Sequence, residues 1–426
     1  MKKPSQIPNE ESFYRLPFRK DTFKLTEKTL KKHSTHLLSQ SLFDISLRKI
    51  NYQNEILTLE IKLKDEVDQL VYLKVKQKEL LVSCTAGTNF DYLGRYAFLA
   101  LSTLMGYGNI LSFEKYYWPD FFNPSTGKSK YLQIFNDRRG LDIELKPKYP
   151  AFFKPGDKLL QIPKEKPIAR DSPPMSILRD HPPTTSYTIG YFLASFRRSS
   201  IRSDHFPFLL PFLGTLTKDK NGIKSYTSFL FNESDTQLLA FSSKKEQLNE
   251  VCFKMRELAP IQVQHFPDPC PLNKEEIKRG KELFELWHQY KETILSERIV
   301  YYYGSYGLRF LSGKPRRSWV DTTYRIKKEV PRLLFEKKDK GEYYILELRF
   351  RVRKKALIPY NRNVPFFISD RNNSEGLYLL NDFTDFLLVD FFQKKKFMLA
   401  ILKPHYKDEI MEFVNQLAER YEFIES

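Results

Sequence analysis

Apolar and polar residues alternate along the segment 42–82, and polar stretches at 52–55 and 64–68 interrupt the alternation. A period of two is typical of β-strands that bury one face, and the polar stretches indicate turns between them. Near Gly94 the period becomes that of an amphipathic helix. The apolar side of this helix consists of Tyr96, Ala97, Ala100, Leu101 and Leu104. The pattern therefore predicts a β-hairpin followed by a packed helix.

The middle of the chain combines strands and helices in the same way. Strands are predicted at 187–196, 212–216 and 225–231, and helices at 242–258 and 274–294. The Asn-Gly pair in the turn 218–222 favours a hairpin. Asn273 and Glu276 have the spacing of a capping box, which indicates where the second helix begins.

The clearest strand of the last third is 342–354, and a helix at about 407–421 follows it. One face of this strand would carry Tyr344, Leu346, Leu348, Phe350 and Val352. The other would carry Ile345, Glu347, Arg349, Arg351 and Arg353. This division predicts one face against a core and one charged face in solvent.

Proline divides the chain into modules, because nine of the 25 prolines fall between residues 147 and 183. Neither helix nor central strand persists through such a segment. The predicted modules are an N-terminal basic extension at 1–40, a β-hairpin and helix module at 41–145, a Pro-rich linker at 146–185, an α+β module at 186–298, and a basic β-rich module with a C-terminal helix at 299–426. The expected fold class is α+β and multi-module, with antiparallel β-rich units and packed helices.

Cysteine usage and hydropathy favour a cytoplasmic protein. Only Cys84, Cys252 and Cys270 occur in 426 residues, which is too few for a disulfide framework and fits a reducing compartment. No stretch reaches the roughly 20 apolar residues of a membrane span, and the lysines at the N-terminus precede no apolar leader segment. We therefore expect no membrane association.

The net charge of +18 favours a polyanionic partner, DNA or RNA, since neutralised phosphates release condensed counterions. Residues 301–360 contain 16 Lys and Arg against 6 Asp and Glu, so over half of the excess lies in one seventh of the chain. The alternative is a compositional bias towards lysine that affects the whole protein.

The charge of this segment falls on two groups of candidate nucleic-acid-binding residues. They are Lys314, Arg316 and Arg317 in a basic loop, and Arg349, Arg351, Arg353, Lys354 and Lys355 along the predicted strand. Alternate strand residues lie ~6.8 Å apart, comparable with successive phosphates. Tyr301, Tyr302, Tyr303 and Tyr306 are candidates for stacking on unpaired bases. The alternative is a solvated face whose arginines protect an edge strand.

Enzyme motifs are weak throughout the chain. The segment 125–129 ends like a phosphate-binding P-loop, but Phe122 stands where the first glycine is required. Asp268, Glu276 and Lys278 imitate a nuclease set, yet Glu276 opens a helix, where acidic residues are favoured anyway. We therefore expect neither catalytic residues nor a cofactor, and retain a divergent nuclease as the weaker hypothesis.

One feature of residues 70–104 points to a family. A strand ends at Cys84, a short loop follows, and a helix starts near Gly94. This order resembles the SWIM-type zinc finger, with ligands in the pattern C-x-C followed by C-x-H. Cys84 matches the first ligand, whereas Ala86, Gly94 and Tyr96 occupy the other three positions. The resemblance therefore implies the frame without zinc binding, and Cys84 is the sole remnant ligand.

SWIM-type regions precede the motor of Swi/Snf-like helicases in some bacteria, and later segments of this chain are similar in order to that N-terminal region. The chain lacks the Walker A lysine and the Asp-Glu-x-His box, so no ATPase activity carries over. The resemblance implies a non-catalytic accessory protein related to helicase N-terminal regions. The basic residues of its C-terminal third predict nucleic-acid binding that is dominated by phosphate contacts and is therefore weakly sequence-specific. The alternative is a protein-interaction module that docks onto a separate helicase motor, through an exposed apolar patch on the helix after Gly94.

Overall fold

The structure, a computed structural model, describes residues 10–36, 45–137, 140–162, 187–196, 204–235, 243–262, 272–359 and 364–426. The α-helices are α1 Glu27–Lys32, α2 Arg95–Met105, α3 Ser243–Leu258, α4 Lys274–Gln289, α5 Lys291–Ser296, α6 Phe383–Gln393 and α7 Asp408–Arg420. Several antiparallel sheets accompany them, which confirms the α+β class.

Among the described residues, the first β-strand begins at Tyr14 and the last ends at Glu425. The first twelve are β1 Tyr14–Pro17, β2 Lys24–Thr26, β3 Ile45–Gln53, β4 Ile56–Leu63, β5 Gln69–Val75, β6 Glu79–Cys84, β7 Ile110–Ser112, β8 Leu132–Asp137, β9 Gly140–Leu145, β10 Ala151–Phe153, β11 Tyr187–Phe196 and β12 Phe208–Leu216. The others are β13 Ile223–Phe229, β14 Val300–Ser305, β15 Val320–Asp321, β16 Arg325–Lys327, β17 Arg332–Asp339, β18 Tyr343–Val352, β19 Lys355–Leu357, β20 Phe367–Asp370, β21 Asn373–Leu379, β22 Met398–Leu402 and β23 Glu422–Glu425.

The chain divides into two compact units, each made of several segments. Unit 1 contains Met1–Leu159, Asp339–Ile345 and Met398–Glu412. Unit 2 contains Leu160–Lys338, Leu346–Phe397 and Phe413–Ser426. The five modules expected from the sequence follow one another along the chain, whereas these units are discontinuous in sequence.

The centre of unit 1 is an antiparallel sheet in the order β1-β6-β5-β4-β3. β3 and β4 are joined by Asn54 and Glu55, whose φ angles of 50° and 63° are both left-handed. Two such residues form the turn that matches the twist of a hairpin, as the polar stretch 52–55 predicts. The apolar side of α2 packs on this sheet, and Ala100 and Leu101 are fully buried.

Two expectations for unit 1 are corrected. The extension expected at 1–40 is not separate over its described residues 10–36, because β1 pairs with β6 and Leu16, Leu25 and Leu30 enter the core. The linker expected at 146–185 begins too early, since β10 lies within it and pairs in parallel with β22. Phe152 in β10 is buried, and burial of such a ring outweighs the local effect of the prolines around it. Residues 163–186 lie outside the described residues.

In unit 2 a mixed sheet has the order β13-β12-β11-β14-β15, with β11 and β14 parallel. The sequence predicted β11 with its observed ends, and β12 begins four residues earlier than predicted. α3 packs against β12, and Cys252 on α3 is buried. Phe192 and Phe212 stack across β11 and β12 with their ring centroids 4.0 Å apart.

Helices α4 and α6 show what local pattern does and does not reveal. α4 begins with the expected capping box, in which the Asn273 side chain accepts the Glu276 N–H and the Glu276 side chain accepts the Asn273 N–H. The predicted helix 274–294 is interrupted at Tyr290, where α4 ends and α5 begins. α6 was not predicted from the sequence. Apolar residues lie on most sides of this helix, so its sequence does not show the amphipathic period by which a helix is recognised.

The second sheet region of unit 2 carries the predicted arginine strand. β17 lies between β18 and β23, and β23 pairs with β17 in parallel. In β18 Leu346, Leu348 and Phe350 are buried, whereas Arg349 is exposed. The predicted alternation of faces is therefore confirmed for residues 346–350.

Candidate nucleic-acid interface

The zinc-knuckle positions keep their expected backbone layout but not a set of metal ligands. β6 ends at Cys84, and α2 begins at Arg95 with Gly94 as its N-cap. The Cys84 Sγ accepts the Ala86 N–H at 3.4 Å, and burial raises the pKa of the thiol. Neither Ala86 nor Gly94 has a side-chain donor atom. The residues present therefore do not fit a zinc ion, which needs four donors at a structural site.

A carboxylate joins the hairpin to the helix at this point. The Tyr96 hydroxyl donates to Glu66 Oε2 at 2.6 Å, and Arg95 Nη2 donates to Oε1 at 2.9 Å. The hydrogen bond from Tyr96 and then the one from Arg95 lower the pKa of Glu66. Among the described residues, no group of three or more His, Cys, Asp or Glu side chains is placed to hold a metal ion. Glu66, in the turn between β4 and β5, thus connects this turn to the first residues of α2.

The apolar side of α2 does not form an exposed patch. Ala97, Phe98 and Leu101 are buried against the sheet of unit 1. The exposed rings of this region, Phe90 and Tyr107, stand before and after the helix. The helix face on which the protein-interaction alternative depends is therefore covered by the chain itself.

The arginines of β18 are neutralised by neighbouring carboxylates. Arg349 lies 2.7 Å from Glu336 Oε2 and 3.2 Å from Glu347 Oε1. The hydrogen bond with Glu347 is the main cause that raises the pKa of Arg349; burial opposes it, and the charges of Glu347 and Glu336 add to the increase. Arg351 pairs with Glu422 at 3.2 Å. The guanidinium groups of Arg349 and Arg351 thus already form ion pairs with glutamates of the same chain.

The row of basic residues also ends earlier than predicted. Arg353 and Lys354 form the two-residue turn between β18 and β19, and Arg353 has a φ of 55°. Arg353 therefore does not continue the face of Arg349 and Arg351, and its guanidinium pairs with Glu329 at 2.7 Å. Lys354 and Lys355 are exposed at the tip of this hairpin. The structure thus separates the candidate row into a neutralised strand and a basic tip.

A second basic surface lies in residues 306–319, which we call the basic-aromatic loop. It joins β14 to β15 and contains four cations and no acidic residue. The four are Arg309, Lys314, Arg316 and Arg317, and all are exposed. None of them forms an ion pair with a carboxylate in the part of the chain that the structure describes. Sequence analysis identified three of them and missed Arg309.

Aromatic side chains of this loop pack against one another and beneath two of its arginines. Trp319 contacts Tyr306 edge to face at 5.4 Å and Phe310 at 6.1 Å between ring centroids. The guanidinium carbons of Arg309 and Arg316 each lie 4.7 Å from a ring centroid, over Phe310 and Trp319 respectively. Arg and aromatic rings attract one another in this geometry. The side chains of Lys314 and Arg317 have no such ring contact among the described residues.

Three backbone contacts fix the shape of the loop. The Leu308 N–H donates to both carboxylate oxygens of Asp204, at 3.1 and 3.0 Å. The Phe229 N–H donates to the carbonyl of Gly313, and the Arg316 N–H donates to the hydroxyl of Tyr303 at 3.1 Å. Gly307 adopts a φ of 129°, and a Cβ there would lie 2.6 Å from Asp204 Oδ2, so glycine is required.

The four tyrosines proposed for stacking have different positions. Tyr301 and Tyr303 are buried in the sheet of unit 2 and do not offer a face to a ligand. Tyr302 packs on Tyr324, with their ring centroids 4.9 Å apart. Tyr306 is the most exposed of the four, with 36% of its full exposure. The expectation is therefore corrected for Tyr301 and Tyr303, since they are alternate residues on the same face of β14 and that face is buried, whereas Tyr302 on the other face is half-buried.

The enzyme-like motifs have structural explanations. The Glu276 carboxylate accepts N–H groups from Asn273 and Gln262, at 2.8 and 2.7 Å, which accounts for its burial. Asp268 lies outside the described residues. In the segment 125–129, the Asn123 side chain accepts the N–H groups of Ser125 and Thr126, so these do not point towards a phosphate.

Comparisons with protein-family models, curated proteins and solved structures find no match to this chain. In the described ranges, no helix is both long and apolar enough to cross a membrane.

Proposed function

We propose that this protein is a non-catalytic nucleic-acid-binding accessory protein, and that the basic-aromatic loop is its main contact surface. The observation that carries the proposal is the concentration of four exposed cations without carboxylate partners in the described structure. Cations that are not already paired contribute most to phosphate binding, because they have no internal ion pair to lose.

The mode of binding follows from this chemistry. Arg and Lys contacts to phosphates position a protein on nucleic acid but carry no sequence information. Binding is therefore weakly specific, and the logarithm of affinity falls with the logarithm of salt concentration by roughly 0.7–0.9 per phosphate contact. Lys354 and Lys355 are secondary contacts in this proposal, and Arg349, Arg351 and Arg353 contribute only when their glutamates are displaced.

The relationship to helicase N-terminal regions remains part of the proposal. The hairpin, loop and helix around Cys84 support it, because their order is that of a SWIM-type finger whose ligands have been replaced. A separate helicase motor is accordingly a candidate partner. A cytoplasmic location also belongs to the proposal and is supported by the low cysteine content.

A charge-reversal variant tests the proposal. Lys314→Glu with Arg317→Glu removes two loop cations, and Lys64→Glu with Lys78→Glu makes the same charge change at exposed positions of unit 1. Fluorescence anisotropy with labelled DNA and RNA at low salt measures both. The loop variant is expected to lose about tenfold or more in affinity and the control about twofold or less. Equal losses would show that net charge, and not the loop, governs binding.

A further inference from the structure

The basic-aromatic loop contains two chemically different sets of cations. Arg309 and Arg316 have their guanidinium groups over aromatic rings. Lys314 and Arg317 are exposed and have no ring partner among the described residues. A guanidinium stacked on a ring presents a planar outer face, whereas an unstacked cation presents a charge to solvent.

Arg309 and Arg316, whose guanidinium groups lie over aromatic rings, form a surface that suits nucleic-acid bases better than phosphates. Unpaired bases stack on aromatic rings and on arginine planes, and every base has such a face. Tyr306 adds an exposed ring, held edge to face against Trp319. The rings beneath the guanidinium groups, Phe310 and Trp319, are partly buried, so the planar surface is supported from below.

We infer that the basic-aromatic loop selects single-stranded nucleic acid, with unpaired bases stacked on Tyr306 and on the guanidinium planes of Arg309 and Arg316, and with phosphates on Lys314 and Arg317. This inference rests on the proposed function and narrows it. A duplex keeps its bases stacked on one another, so only Lys314 and Arg317 contribute fully to duplex binding.

Conservative substitutions separate the two roles. Arg316→Lys keeps the charge but removes the planar group, and Arg19→Lys makes the same change at an exposed arginine of unit 1 as its matched control. Tyr306→Ala removes the exposed ring, and Tyr107→Ala is its control because it removes an exposed ring of unit 1, outside the loop. Thermal unfolding of each variant checks that the loop change has not unfolded the protein.

The ligands are labelled oligothymidylate and oligouridylate of about 15 nucleotides and a blunt DNA duplex of the same length. Arg316→Lys and Tyr306→Ala are each expected to weaken single-strand binding about fivefold or more and to leave duplex binding within about twofold. Arg19→Lys and Tyr107→Ala are expected to leave the affinity for both kinds of ligand within about twofold. A difference between the two single-stranded ligands would identify DNA or RNA as the preferred one.

The possible failures are distinguishable. If Arg316→Lys and Tyr306→Ala leave single-strand affinity unchanged, or weaken both ligands equally, the single-strand inference is overturned. The proposed function then still stands, provided that Lys314→Glu with Arg317→Glu weakens binding to both ligands. If that double variant has no more effect than the unit 1 control, the loop is not the interface and the proposed function fails as well.

Discussion

The Arg351 guanidinium lies 3.2 Å from Glu422 Oε1 and 3.3 Å from Oε2, although the two residues are 71 positions apart in the chain. Glu422 is the first residue of β23, which pairs in parallel with the outer edge of β17. β23 also brings Glu425 within 2.7 Å of Lys337. A short acidic strand therefore occupies the place that a phosphate chain would need beside these cations.

The first prediction concerns this ion pair. Glu422→Gln removes the carboxylate from Arg351 and is expected to raise nucleic-acid affinity about two- to threefold at low salt. Glu419→Gln changes the net charge equally but frees no cation, since Glu419 is exposed on α7 without an ion pair among the described residues. Anisotropy titrations of both variants decide whether the arginine row contributes. An equal effect of the two would exclude Arg351 as a contact.

The second prediction concerns the base of the loop. Gly307→Ala places a Cβ 2.6 Å from Asp204 Oδ2 at a φ of 129°, so the loop must shift. The free energy of unfolding is expected to fall by about 2–3 kcal/mol, measured by chemical denaturation. Gly313→Ala, where φ is 65° and no atom lies within 4 Å, is expected to cost only about 1 kcal/mol. Equal losses would show that the contact with Asp204 does not hold the loop.

The third prediction concerns pH. Burial and the adjacent Asp382 raise the pKa of Asp385 to about 7, and its carboxylate accepts the Tyr421 hydroxyl at 2.8 Å. In the unfolded chain the pKa is about 4, so between about pH 4 and 7 the folded state binds a proton that the unfolded state does not. The stabilisation from this group is therefore complete below about pH 4 and is lost as the pH rises through about 7.

Asp385→Asn removes this titration. The variant is expected to be more stable than the wild type at pH 8, by about 1 kcal/mol or more, and the difference should shrink towards pH 5. Thermal unfolding across this range measures it. Asp390→Asn on the same helix is the control, because Asp390 is exposed and pairs only with Lys394 among the described residues. A constant difference at all pH values would contradict the prediction.

The fourth prediction separates a structural from a catalytic role for Glu276. Glu276→Ala deletes the acceptor of two backbone N–H groups and is expected to lower the free energy of unfolding by about 2 kcal/mol. Glu275→Ala, in the same turn but exposed, is expected to cost a few tenths of a kcal/mol. Metal-dependent nuclease activity that disappears in Glu276→Ala without a loss of stability would instead support the divergent nuclease hypothesis.

Elements with a strong local pattern were predictable from the sequence. The strand Tyr187–Phe196 has its predicted ends, and the capping box of Asn273 and Glu276 forms as expected. Such features depend on residues within a few positions of one another. β10 is different, because only its pairing with β22 gives the three residues Ala151–Phe153 a stable place in a sheet.

The candidate interface was predictable only in part, for the same physical reason. The concentration of charge in residues 301–360 is visible in the sequence, but the glutamates that neutralise the arginines are not. Glu422 reaches Arg351 from 71 positions away, and Glu329 reaches Arg353 from 24. The contact between Phe310 and Trp319 also depends on how the loop closes. The concentration of charge along the sequence therefore does not show which cations of this region have carboxylate partners in the fold.

The hydroxyl of Tyr303 has a thermodynamic consequence. The Tyr303 ring is fully buried in the sheet, and its hydroxyl accepts the Arg316 N–H at 3.1 Å, so the loop is anchored to a buried strand of unit 2. Conformational freedom of this segment is lost when the chain folds and not when a partner arrives. Association should then proceed without a slow ordering step, with a small heat-capacity change that reflects only the surface covered.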